Sequence, residues 1–361
     1  MPLGSAKVGL FGAAGASAGG GDRGLKFWGL LSNHPSYTMY NVIEYITISS
    51  TGNGTDFGDA SAAGRQPAGA SNGVTDRGLI CGGQLSTWSK TNTIEYVTIS
   101  SASNSSDFGD YLAAAHAQDS TQAGGSNGSN DRAIFSLSNS SDKTQIGYNT
   151  VSSAGNTQDF GDRTITQLSG NVGAFCSNGT NERGVFLGGM AEAHTADPSD
   201  QVHLYSHAQM KTMDYITINS AGNATDFGDL SIMNCLNSSC SNDTNERGIS
   251  WGGYYYTAPS GGAQTFPNVI EYITINSASN ATDFGDQLDN PDGDTNNYLL
   301  AQCVSNGVNE RGCHYGGDGW DQNNETNMIQ YITINSTGNA TDFGDALLQY
   351  GHCGSTDNGF T

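Results

Sequence analysis

Short bursts of β-branched and aromatic residues alternate along this chain with runs of Gly, Ser, Asn and Thr, the pattern of short strands joined by turns. In the burst IEYITI, Ile43, Tyr45 and Thr47 fall on one face and Glu44, Ile46 and Ile48 on the other. Both faces carry bulk, so this strand is expected to be covered on both sides, as in a sheet packed between two others. The burst opens a phrase that occurs six times, beginning at Tyr45, Tyr96, Tyr148, Tyr215, Tyr272 and Tyr331 and ending in Asp-Phe-Gly-Asp. Tyrosine and the first aspartate keep a constant separation while the spacing between copies varies, which marks a repeat architecture.

A second phrase precedes each copy: DRGLKFWG from Asp22, DRGLICGG from Asp76, DRAIFSLS from Asp131, ERGVFLGG from Glu182, ERGISWGG from Glu246 and ERGCHYGG from Glu310. Ser-Asn-Gly or a near variant stands before it at Ser71, Ser126, Ser177, Ser241 and Ser305. One unit therefore reads as four strands. Strand a is a run of small residues such as GAFCS, followed by an Asn-Gly turn. Strand b is GVFLGG, strand c is IEYITI and strand d is TDFGD. Six four-stranded sheets, none able to bury its own faces, are best arranged around an axis. The expected fold is all-β, a six-bladed β-propeller with kelch-like four-stranded blades, in one domain spanning 1–361. Its approximate blades are 8–60, 68–112, 120–166, 171–231, 235–288 and 298–348, with 349–361 as the ring-closing strand. KVGLFGAAG near the N-terminus competes for the same slot; the C-terminal run is preferred. A linear β-solenoid is disfavoured, because four strands in more than 50 residues are too long for one coil.

Gly-Gly closing strand b, a variable loop, a tyrosine in strand c and an aromatic in strand d resemble a kelch repeat. Phe57, Phe108, Phe160, Phe227, Phe284 and Phe343 stand where kelch usually has tryptophan. The phrases EYITI…GNATDFGDL and RGVF.GG together resemble repeats in virion proteins of marine bacteriophages, particularly those infecting cyanobacteria. That resemblance covers nearly the whole chain. It implies a non-enzymatic structural protein of tail fibre, tail or capsid surface, located in the virion, oligomeric in an assembly, with other virion proteins and a host-surface glycan as partners. A carbohydrate-binding propeller lectin is the alternative, and a propeller hydrolase or oxidase the second alternative.

Composition narrows these readings. Thirteen Lys and Arg against 35 Asp and Glu give a formal charge of −22, which disfavours nucleic acid as a partner. No stretch is apolar enough to insert in a membrane as a helix, and the small-residue start does not read as a secretory signal. Seven cysteines form no CxxC pair. Cys176 and Cys240 stand where other units have Ala16, Ala70 or Gly125, so they are expected to fill a small buried slot.

Six of the eight arginines, Arg23, Arg77, Arg132, Arg183, Arg247 and Arg311, occur once per unit. The first aspartates of DFGD, Asp56, Asp107, Asp159, Asp226, Asp283 and Asp342, occur equally regularly. One-to-one supply suggests guanidinium–carboxylate bridges between blades. Calcium bound by the paired carboxylates is the competing reading, but no cofactor or metal is expected. A kinase-type DFG is excluded by the lack of its companion motifs. The sequons at Asn53, Asn104, Asn223, Asn280 and Asn339 read as turn residues. No catalytic residue is assigned.

A repeated phrase is scaffold, so function is sought where copies differ. The b–c loops are the most unequal, and Trp88, His194, His203, Tyr205, His207, Tyr254, Tyr255, Tyr256 and Trp320 are the candidate ligand- or partner-binding residues. Aromatic and acidic groups on one rim suit either subunit contact or sugar stacking. The d–a loops, longest between Asp286 and Cys303, are expected on the other face. The third unit, with Ala133 and Leu137-Ser138 in place of repeat glycines, is expected to be adapted to an interface.

Overall fold

The computed structural model describes residues 21–33, 36–111, 123–137, 144–192, 202–204, 207–256, 264–289, 301–317 and 325–359. Small antiparallel sheets are arranged as a six-bladed β-propeller with four strands per blade. Blade 2 is typical: strands Ala68–Ser71, Arg77–Cys81, Thr93–Thr98 and Ser106–Asp110 pair in chain order from the axis outward. Blades 3, 4, 5 and 6 repeat the order, beginning with Gly124–Ser126, Gln167–Ser177, Ser238–Ser241 and Gln302–Ser305. In blade 1 the strand-a slot is filled from the far end of the chain, where Gly354–Asp357 pairs with Arg23–Asn33 (Gly24 opposite Asp357, Phe27 opposite Gly354). The N-terminal run KVGLFGAAG lies outside the described residues.

Each blade buries one apolar layer against the next. Ile46, Ile48, Tyr315, Ile329 and Phe343 join blades 1 and 6 in one such layer. Within every blade the strand-c tyrosine meets the strand-d phenylalanine edge-on, with centroids 6.0–6.3 Å apart. The repeat arginine lies 4.2–4.5 Å over the same tyrosine ring.

The arginines do join blades, but through carbonyl groups. Nη1 of Arg23, Arg77, Arg132, Arg183, Arg247 and Arg311 donates to the main chain just past strand c of the next blade, at Ile99, Val151 and Ser152, Ile218, Ile275, Ile334 and Ile48, over 2.9–3.3 Å. This corrects the expected bridge to DFGD: Asp56, Asp107, Asp159, Asp226, Asp283 and Asp342 are all exposed. The physical reason is position, since alternation along strand d turns the buried phenylalanine inward and its aspartate neighbour outward.

The carboxylates that do cross between blades precede the arginines. Asp131, Glu182, Glu246, Glu310, Asp22 and Asp76 accept from the turn asparagines Asn72, Asn127, Asn178, Asn242, Asn306 and Asn358 of the preceding blade, at 2.8–3.2 Å. A third joint uses the five sequon asparagines and their blade 3 counterpart, Asn156. Asn104, Asn156, Asn223, Asn280, Asn339 and Asn53 accept, at 3.0–3.1 Å, from the N–H of the second DFGD aspartate of the blade before. The DFGD glycine holds φ between 135° and 150°, and a Cβ there would lie 2.5–2.6 Å from a carbonyl oxygen of that same turn.

A buried polar residue before the strand-c tyrosine caps the chain leaving the preceding blade. Glu44, Glu95, Asp214, Glu271 and Gln330 accept from the N–H of Leu347, Ser61, Thr164, Ser231 and Leu288. Asp214 also holds Arg163 in a buried ion pair of 2.5 Å. Glu44 faces Lys26, whose ammonium is 3.6 Å from the carboxylate and 3.9 Å from the Tyr350 ring centroid. Lys26 and Glu44 therefore clamp the segment that leads into the closing strand. In blade 3 glycine takes the capping position, and Gly147 leaves the space that Leu137 fills. That substitution is internal packing; Ser138 lies outside the described residues.

The cysteine slot is as small as its occupants suggest. A Cβ at Gly248 would meet Cys176 Sγ at 2.5 Å, and one at Gly312 would meet Cys240 Sγ at 2.7 Å. In blade 1 the slot belongs to Thr356, which sits opposite Leu25 as Cys240 sits opposite Ile249. Ala16 lies outside the described residues. All seven cysteines are buried and none forms a disulfide, and burial pushes the Cys176 thiol up to about 12.

Candidate binding site between blades 1 and 2

Four antiparallel strands return the chain to the end at which it entered, so the d–a and b–c segments share one face. This corrects the expectation that they open oppositely. Strand d of blade 1 (Thr55–Arg65) runs on to pair with Gln84–Leu85, beyond strand b of blade 2 (Gly64 opposite Leu85, Arg65 opposite Gln84). The segment before the closing strand likewise bridges the b–c hairpin of blade 1, Gly351 opposite Leu30.

Blades 1 and 2 build on this shared edge. The hairpin Gln84–Lys90 is closed by Trp88 N–H to Leu85 O and Leu85 N–H to Ser89 O, both 2.8 Å, and Ser86 N–H donates to Ala63 O of blade 1. Trp88 occupies its tight corner at φ 62°, a conformation in which glycine or asparagine is the usual occupant. The residue is 49 % exposed. Tyr37, from the blade 1 hairpin, meets it edge-on at 5.7 Å, and the Arg65 guanidinium lies 5.0 Å over it. Arg65 is in turn held by Gln84, Nε to Oε1 at 2.7 Å.

Beside this aromatic rim is a cavity of about 230 Å³. Trp28, Ile80 and Leu85 give it apolar walls, and Ser61, Thr93 and Glu95 give it oxygen atoms. Trp28 replaces the first glycine of the pair that ends strand b in blades 2, 4, 5 and 6, and it keeps that glycine's left-handed backbone, φ 59°. The ring reaches Gly64 and Gly83, where any Cβ would collide with it. Trp28 is 3 % exposed, and its indole Nε1–H has no hydrogen-bond acceptor among the described residues. Glu95, also buried, accepts from Ser61 and Ser105.

A second concavity, about 80 Å³, lies on the axis among Gly, Ala, Ser and Cys side chains of the six innermost strands. It has room for a few waters only. Asp357 borders it, in the place that Ser71, Ser126, Ser177, Ser241 and Ser305 hold in the other blades. Asp357 accepts from the N–H groups of Ser305 and Gly359, both at 3.0 Å. Burial, and then the neighbouring charge of Asp243, push its carboxyl up to about 7 despite these bonds.

No known protein family matches the chain, and no curated protein does. Solved structures do. One, titled "Structure of YjhT", shares 10 % identity over 88 % of this chain and 97 % of its own, with a TM-score of 0.56. At that identity the likeness shows the fold alone.

Among the described residues, those singled out in the sequence are not gathered in one place. Trp88 is on the exposed rim. Tyr254 is corrected: it is 4 % exposed and packs against Phe266 beside Cys235 and Leu236. Tyr255 is half-buried in a two-stranded ribbon, opposite Thr265, with Tyr256 opposite Gln264. His203 and His207 belong to a hairpin extension of blade 4, opposite Ala208 and Leu204. His194, Tyr205 and Trp320 lie outside the described residues. Among the described residues, no group of three or more His, Cys, Asp or Glu converges as metal ligands. Trp28 escaped the sequence reading because FWG was counted as one more strand-b ending; its signal was a tryptophan in a glycine position.

Proposed function

We propose that this chain is a non-enzymatic structural and adhesive component of a bacteriophage particle, one that uses the face of its b–c and d–a loops for contact. The observation that carries the reading is how the repeat is spent. Its arginines, turn asparagines and D/E-R acids all join one blade to the next, while the capping carboxylates hold loop N–H groups. What varies between blades is the loop face, and there Tyr37 and Trp88 expose 43 % and 49 % of their surface. Exposed aromatic side chains beside an arginine are the composition of a recognition surface. The resemblance of the repeat phrases to phage virion proteins supplies the setting. Gold-labelled antibody against this chain should decorate purified phage particles. Particles that lack the chain altogether would sink the reading.

A further inference from the structure

The corner between blades 1 and 2 departs from the repeat at two positions. Trp28 sits where four other blades place glycine, and Trp88 sits at a hairpin corner that suits glycine. Both hold left-handed backbones at φ 59° and 62°. A large L-residue is strained in that region, and strain of this kind collects at functional sites. The two rings serve different ends. Trp88 offers an open face and edge to solvent, steadied by Tyr37 and Arg65. Trp28 lines the cavity and brings a buried N–H donor with no acceptor among the described residues. A buried unpaired donor disfavours the empty site, a cost that a bound acceptor oxygen removes.

We infer that this corner binds a single neutral pyranose ring, as the terminal unit of a surface saccharide. The inference rests on the adhesive part of the function proposed above. Trp88 stacks on the apolar C–H face of the sugar. The Trp28 indole donates to a hydroxyl or ring oxygen, and Glu95, Ser61 and Thr93 border the same space as partners for other hydroxyls. At about 230 Å³ the cavity is smaller than the roughly 300–1,000 Å³ of sites for drug-sized ligands, and so suits one ring. A net charge of −22 sets the field against acidic sugars, and the nearby Arg65 is already held by Gln84 and Trp88.

The test is titration of the purified full-length chain with methyl hexopyranosides and neutral oligosaccharides, read by tryptophan fluorescence and calorimetry. Sialylated and sulfated glycans run alongside. Saturable millimolar binding of at least one neutral saccharide is expected, with no stronger binding of the acidic ones. Trp88→Gly and Trp28→Gly each restore the residue that the backbone favours, so Trp88→Gly should melt no lower than the parent chain. Each should weaken binding at least tenfold. Failure of the parent chain to bind any neutral saccharide, preference for an acidic glycan, or undiminished binding by either variant overturns the inference. Such failure leaves the labelling of particles untouched. Sugar binding by a chain absent from particles would instead identify a free-standing lectin.

Discussion

At the scale of single residues, the structure reverses the roles first given to the repeat's charges. The DFGD aspartates are as regular as the arginines, yet they face water, while guanidinium groups reach carbonyl oxygens and tyrosine rings. Arg77 donates to two carbonyls of blade 3, so Arg77→Ala should lower stability by about 1–3 kcal/mol in urea titrations. Asp107→Ala, on an exposed carboxylate, should stay within about 0.5 kcal/mol of the parent. Equal losses for the two substitutions would restore the ion-pair reading. Residue counting could show that arginine and acid occur once per blade. It could not show which acid faces the joint, because that depends on strand alternation and on the left-handed backbone at Asp76, Asp131, Glu182, Glu246 and Glu310.

At the scale of elements, the closing strand is unlike its five counterparts in one position that bears on pH. Asp357 replaces serine, and its carboxyl is raised from an ordinary 3.8 to about 7 by burial and by Asp243. The folded chain therefore holds a proton that the unfolded chain has released between those values. Stability should fall as pH rises from about 4 to 7 and then level off, by on the order of 4 kcal/mol from this group alone. Asp357→Ser installs the residue of the other blades and should remove that component. Chemical denaturation of both chains at half-unit pH steps reads the difference, and parallel pH profiles would refute the assignment. The strands themselves were legible from patterning, since variants of IEYITI and TDFGD recur six times and RG-x-x-x-GG four times. The bulge at the DFGD glycine was not, because it answers to a carbonyl of the neighbouring blade.

At the scale of the whole molecule, the ring is closed by chain ends far apart in sequence. Gly354–Asp357 pairs with strand b of blade 1, while Asn358 bonds Asp76 of blade 2 and Asp22 receives Asn306 of blade 6. Lys26 and Glu44, buried together against Tyr350, fix the approach to that strand. Deleting residues 354–361 should leave an unpaired inner edge and abolish the monodisperse species in size-exclusion chromatography, since exposed strand edges invite association. A truncated chain that elutes and melts like the parent would show that closure is dispensable. The aromatic corner of the proposed binding site belongs to this scale too, because blade 1 supplies Trp28, Tyr37 and Arg65 and blade 2 supplies Trp88 and Glu95.

By itself, the sequence determined the repeat, its four strands and therefore the propeller. Those follow from local propensity and from sheets that cannot bury both faces unless others flank them. Tertiary structure alone decided which carboxylates join blades, that both variable loop sets share one face, and that Trp28 lines a cavity beside Trp88. These are contacts between residues that only the closed ring brings together, where backbone direction and curvature, and not residue type, select the partner.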